Sequence, residues 1–150
     1  MTGTATGIQN VLGGNFGNTL TGNAQGNILI GGTAADTIIG GSGRSLLIGG
    51  QGADTITGGA DDDILIGGYT AYESARRLGD LMDILARWQS ADSYATRVSN
   101  LRVGYRSLVA GTTVFDDGAA DRVSGAGGTD WFLVGANDAM PDRQAGEMVN

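Results

Sequence analysis

Glycine returns every nine residues through the first half of this 150-residue chain, and that interval restricts the fold more than any other feature. Gly13, Gly22, Gly31, Gly40, Gly49, Gly58 and Gly67 keep the spacing without a slip. In this frame the chain reads GGNFGNTLT, GNAQGNILI, GGTAADTII, GGSGRSLLI, GGQGADTIT and GGADDDILI, after a weaker unit, TATGIQNVL. The eighth position is always apolar: Val11, Leu20, Leu29, Ile38, Leu47, Ile56 and Leu65. The sixth is Gln9, Asn18, Asn27, Asp36, Ser45, Asp54 and Asp63. Self-similarity at a fixed period marks a solenoid, whose single repeat has no core until neighbours stack on it. A six-residue turn followed by a three-residue strand sends the eighth side chain inward. It needs glycine where φ is positive and where stacked backbones touch.

If one coil takes two repeats, alternate units share an edge. One edge then carries Asn18, Asp36 and Asp54, and the other Gln9, Asn27, Ser45 and Asp63. The two sheets differ as well. One shows Thr19, Thr21, Thr37, Ile39, Thr55 and Thr57 outward, and the other Ile28, Ile30, Leu46, Ile48, Ile64 and Ile66. An apolar patch of that size marks an interface and requires a cover.

Residues 69–110 lose the frame and offer that cover. Leu78, Leu81, Met82, Leu85 and Trp88 recur at helical spacing, which predicts a helix of about 17 residues. A second pattern runs through Tyr94, Val98 and Leu101. A helical pair folded back on the Ile/Leu sheet is the expected arrangement, with a partner or parent-protein interface as the rival. The arginines of this insert are expected to pair with its own acids, for example Asp83 with Arg87 one helical turn on.

The nine-residue frame then returns. DDGAADRVS places Asp121 sixth and Val123 eighth, and GAGGTDWFL places Asp130 sixth and Phe132 eighth. Trp131, Phe132 and Leu133 read as a hydrophobic end to the stack. The expected organisation is one folded unit: solenoid repeats over 4–68, a helical insert over 69–110, returning repeats with a C-terminal cap over 111–136, and a flexible tail over 137–150.

These repeats resemble the glycine- and aspartate-rich nonapeptides of the repeats-in-toxin (RTX) family, G-G-x-G-x-D-x-U-x. The resemblance covers roughly residues 4–68 and the two later frames. It implies a mainly β protein, a right-handed parallel β-roll that binds Ca²⁺ in its turns, here with a helical insert packed on one sheet. It also implies a chain that folds around Ca²⁺ outside the cell. The FDDG…D-WF stretch is similar to the ends of bacterial RTX exoproteins, which act as uncleaved type I secretion signals. Secretion machinery is therefore an expected partner, and a secreted or cell-surface address the expected location.

Turn carbonyls and sixth-position carboxylates are hard oxygen ligands suited to Ca²⁺. The Asp36/Asp54 layer is the best expected site, with carbonyls around Gly32, Gly50 and Gly52. Asn18/Asp36 is a weaker one with one charge fewer. Asp63, Asp121 and Asp130 are further candidate ligands, and Gln25 and Ser45 depart from the family pattern. One to three ions are expected. The alternative on the residues alone is a metal-free solenoid whose Asn and Asp cap turns.

Composition narrows the remaining classes. Histidine, cysteine and lysine are absent, so His-based triads, His-ligated zinc, thiol nucleophiles and disulfides are excluded. A net charge of −7 and a pI near 4.2 favour cations over nucleic acid as partners. MTGTATGIQN has neither a basic n-region nor an apolar h-region, so no Sec-type signal is expected there. No apolar run reaches about 18 residues, so no membrane span is expected. The insert is too short for a catalytic domain, and no enzyme activity is expected. Two other readings remain: adhesion, assembly or ice binding through the Thr face, and the non-catalytic end of a secreted hydrolase.

Overall fold

The computed structural model describes residues 2–4 and 8–150; part of the weak first unit, residues 5–7, lies outside them. Short parallel strands alternate between two sheets. The Thr sheet is ordered β1 (Thr2–Thr4), β3 (Thr19–Thr21), β5 (Thr37–Gly41), β7 (Thr55–Gly59), β11 (Arg122–Ala126). The Ile sheet is ordered β2 (Asn10–Leu12), β4 (Ile28–Thr33), β6 (Leu46–Gln51), β8 (Ile64–Ile66), β12 (Trp131–Leu133), β13 (Met148–Val149). From β1 to β8 the chain crosses between the two sheets at every turn, so strands of successive repeats do not pair and each rung joins alternate repeats. Leu29 stands against Leu47 and Leu47 against Leu65; Ile38 stands against Ile56. This is a parallel β-roll.

The sheets enclose a narrow core of Leu20, Leu29, Ile38, Leu47, Ile56, Leu65, Val123 and Phe132. All are the eighth-position side chains of their units. Burying such a side chain is worth about 1.5–3 kcal/mol, and each depends on the coil above and below for its cover.

A second core lies outside the Ile sheet. Ile28, Ile30, Leu46, Ile48, Ile64 and Ile66 are almost fully buried beneath α1 (Leu78–Trp88) and α2 (Tyr94–Arg102). Helix α1 is 11 residues, shorter than the expected 17, because a 3₁₀ turn over Ala75–Arg77 precedes it and Gln89 ends it. Its buried stripe is Leu81, Ile84, Leu85 and Trp88, whereas Met82 faces solvent. Ser93 caps α2 by accepting from the Thr96 N–H. The insert leaves and re-enters the roll through a small antiparallel pair, β9 (Tyr69–Thr70) and β10 (Val114–Phe115), with Tyr69 stacked on Phe115.

The roll resumes in register after the insert. Arg122 pairs with Thr55 and Trp131 with Ile64, as though no residues intervened. Three expectations need correction here. Asp83 meets Arg106, not Arg87, whose guanidinium donates to the carbonyls of Asn100 and Arg106. Trp131 and Leu133 face outward under the insert while Phe132 faces in, so this strand does not end the stack. Residues 137–150 run back across the end of the roll and finish as β13, paired with β12, and Glu147 is buried. That strand is only two residues, Met148–Val149, too short to show a strand pattern in the sequence.

Candidate metal-binding edges

The turns form two edges. The outbound edge runs from the Ile sheet to the Thr sheet and stacks Asn18, Asp36, Asp54, Asp121 and Asp138. The return edge stacks Asn27, Ser45, Asp63 and Asp130. Along each edge the sixth-position side chain reaches into the previous coil and accepts its main-chain N–H. On the outbound edge Asp36 Oδ1 accepts from Asn18 N at 2.5 Å, Asp54 Oδ1 from Asp36 N at 2.7 Å, and Asp121 Oδ1 from Asp54 N at 2.8 Å. On the return edge Asp63 Oδ1 accepts from Ser45 N at 2.6 Å and Asp130 Oδ1 from Asp63 N at 2.7 Å.

These ladders answer why aspartate sits at that position: its short carboxylate reaches one coil and no further. They also use only half of each carboxylate. The Oδ2 atoms of Asp36, Asp54, Asp63, Asp121 and Asp130 are buried and have no hydrogen-bond partner. Leaving a charged oxygen so placed costs several kcal/mol. Burial accordingly pushes the carboxyls up, Asp54 to about 7, Asp121 to about 6, and Asp63 and Asp130 to about 8, with neighbouring carboxylates adding to the rise.

Glycine makes room for these oxygens. A Cβ on Gly58 would lie 2.7 Å from Asp63 Oδ2 and 2.6 Å from the Gly125 carbonyl oxygen. Carboxylate and carbonyl oxygens of adjacent coils thus crowd around the same glycine. Gly32, Gly50 and Gly52, the expected carbonyl donors, lie in the outbound turns with φ of 124°, 107° and 117°. Gly32 and Gly50 are packed against each other across neighbouring coils. Among the described residues no three acidic side chains gather around one point. A cation held here would take one carboxylate oxygen from a coil and the rest of its shell from main-chain carbonyls. The donor set is all oxygen, orphaned and crowded, which fits Ca²⁺.

Asn18 departs from the expected role. Its Nδ2 donates to the carbonyls of Phe16 and Gly31 and to Asp36 Oδ1 at 2.9 Å, so an amide occupies the place that a carboxylate oxygen takes in later coils. Asn27 and Ser45 close the first coils of the return edge in the same way, with Ser45 Oγ accepting from Asn27 N. Asp62, next to Asp63 in the chain, lies outside these ladders. It pairs with the buried Arg97 and with Arg44 at 3.8 Å, and accepts from Thr129 N at 2.8 Å. Burial alone would raise its carboxyl, but these bonds and charges hold it below the usual range.

Sequence reading missed Asp138 and Asp117. Asp138 Oδ1 accepts from Asp121 N at 3.0 Å and extends the outbound ladder, while Asp117 Oδ2 accepts from Gly52 N at 2.7 Å. A Cβ on Gly67 would lie 2.6 Å from Asp121 Oδ2 and 2.8 Å from Asp138 Oδ2. Asp138 follows Asp121 by 17 residues and not 18, so it escapes a strict nine-residue frame. The local GAND could have shown it only with a slip allowed.

A parallel roll with two ladders of buried, half-used carboxylates defines a repeat solenoid suited to binding cations. Comparison with known families agrees: the RTX calcium-binding nonapeptide repeat matches four copies, over residues 12–47 and 40–68. That match spans residues 12–68, less than half of the chain; proteins with this repeat bind Ca²⁺, are generally non-catalytic and are typically secreted or extracellular. No curated protein and no solved structure matches the chain. Among the described residues no helix is long and apolar enough to cross a membrane.

Proposed function

We propose that this chain is a Ca²⁺-dependent folding module that becomes ordered outside the cell and serves as the C-terminal folding and secretion region of a type I exported protein. The five orphaned Oδ2 atoms carry the reading. Without a cation they repel one another and resist burial; with one, binding free energy becomes folding free energy. One to three ions are expected, in the layers flanked by carboxylates on both sides: Asp36/Asp54, Asp54/Asp121 and Asp63/Asp130. Extracellular modules of this kind work at roughly 10⁻⁴–10⁻³ M Ca²⁺, which separates the inside of a cell from the outside.

Titrating the metal-stripped chain with Ca²⁺ tests this, with circular dichroism for folding and calorimetry for stoichiometry. Gain of β signal, a higher thermal midpoint and binding of one to three ions are expected. An unchanged spectrum and midpoint would refute the reading in favour of a metal-free solenoid. Export is tested separately, by removing residues 114–150 and measuring secretion through a type I exporter. Undiminished secretion would remove that part of the proposal.

A further inference from the structure

The helical insert touches the return edge in four successive coils, through residues that surround its interhelical turn. Gln89 Nε2 donates to the Gln25 carbonyl at 3.1 Å and to the Arg44 carbonyl at 3.0 Å. Trp88 Nε1 donates to the Asp62 carbonyl at 2.8 Å, and the Tyr94 hydroxyl to the Asp130 carbonyl at 2.7 Å. Arg44 answers from the roll by donating to the Ser90 carbonyl at 3.0 Å. Arg97, buried against the Trp88 ring at 4.5 Å, binds the Asp62 carboxylate and the Trp88 carbonyl. Among the described residues, the outbound edge receives no comparable set of bonds from either helix.

The Gln89 contact has a particular chemistry. Its amide bridges two turn carbonyls from adjacent coils, the kind of oxygen a cation would otherwise gather. It does so in the coils where the carboxylates are missing: the sixth positions there are Asn27 and Ser45. The backbone is shaped for it, since Gly26 has φ 80° and a side chain there would collide with both Gln89 Nε2 and the Arg44 carbonyl. We infer that the insert is a metal-independent clasp: residues 88–97 hold the return edge by hydrogen bonds, with Gln89 standing in for a cation across the Asn27 and Ser45 coils, so that those coils do not depend on metal as the carboxylate layers of the outbound edge do.

This inference rests on the calcium reading above and separates the Asn27 and Ser45 coils of the return edge, held without metal, from the carboxylate layers that metal holds. Residue-resolved amide exchange on the whole chain, in chelator and in millimolar Ca²⁺, tests it. On the outbound edge the reporters are the N–H groups of Asp36 and Asp54; on the return edge they are those of Asn27 and Ser45. Chelation is expected to speed outbound exchange by about tenfold or more and return exchange by less than about threefold. Gln89→Ala should speed Asn27 and Ser45 in chelator and leave Asp36 and Asp54 as they were, and added Ca²⁺ should not restore the loss. Equal acceleration of both edges by chelator would overturn the clasp while leaving calcium binding intact. A Gln89→Ala variant that exchanges like the parent would overturn it as well. Exchange insensitive to Ca²⁺ on both edges would sink the calcium reading, and the clasp with it.

Discussion

Replacing Asp54 by Asn should stabilise the metal-free chain and destabilise the calcium-loaded one. The amide keeps Oδ1 for the Asp36 N–H and converts the orphaned Oδ2 into a donor beside the Gly67 carbonyl, as Asn18 already does with Gly31. The Asp54 carboxyl is raised from 3.8 to about 7 by burial. Above that pH its ionisation opposes folding by at most about 4 kcal/mol. Discounted for solvent screening and relaxation, about 2 kcal/mol remains for Asn to recover. For a chain of this length that raises the midpoint in chelator by about 4–8 °C. In calcium the balance reverses. Asp54 flanks two layers, and each ion at about 100 times its Kd contributes about 2.7 kcal/mol. Losing both outweighs the gain and leaves the variant about 3 kcal/mol below the parent. Thermal unfolding followed by circular dichroism at pH 8, in chelator and in excess Ca²⁺, reads both effects. A variant less stable by the same amount in both conditions would show that Asp54 serves packing alone.

Acidification should mimic metal. Carboxyls raised on folding favour the folded state fully below about pH 4 and lose that contribution as pH climbs through their folded values, which run from about 6 to about 8. The midpoint in chelator should therefore rise as pH falls from about 8 to about 5, and Ca²⁺ affinity measured by calorimetry should fall over the same range. A midpoint that drops on mild acidification would contradict it. Leu47→Ala, inside the roll between Leu29 and Leu65, should cost about 2–5 kcal/mol in calcium, whereas Ile39→Thr on the exposed sheet should change stability by less than about 0.5 kcal/mol. Denaturant unfolding separates the two, and similar losses would disprove the in–out assignment. Arg97→Ala removes the main partner of the Asp62 carboxylate, leaves it Arg44 and the Thr129 N–H, and opens space beside Trp88; it should cost about 3–5 kcal/mol, with Trp88 fluorescence altered, and Asp62→Asn, which keeps an oxygen for Arg97, should cost less. Equal costs would mean that the charge pair is not what matters.

Much of the roll is legible because its rule is local and repeated. The interval between glycines determines strand pairing, since a coil of two repeats leaves each strand only the strands two repeats before and after it as partners. The eighth-position residues are therefore identifiable as core from the chain alone. So are Asp36, Asp54, Asp63, Asp121 and Asp130, whose place in the frame puts them at the turns. The apolar outer face of Ile28, Leu46 and Ile64 announces that something must cover it.

What covers it, and how each carboxylate is used, are decided only in three dimensions. The Arg97–Asp62 pair joins residues 35 apart, and Gln89 meets carbonyls of Arg44 and Gln25 that have no side-chain signature. Main-chain oxygens look alike in every sequence, so neither a clasp nor a cation site made of them can be read there. Asp138 enters its ladder through a turn one residue short, and β13 pairs because β12 leaves an edge open beside it. The half-use of each aspartate, one oxygen bonded and one orphaned, follows from the distance between coils. Periodicity by itself determined that the chain would stack; the spacing and twist of the stacked coils decided which oxygens were left without partners.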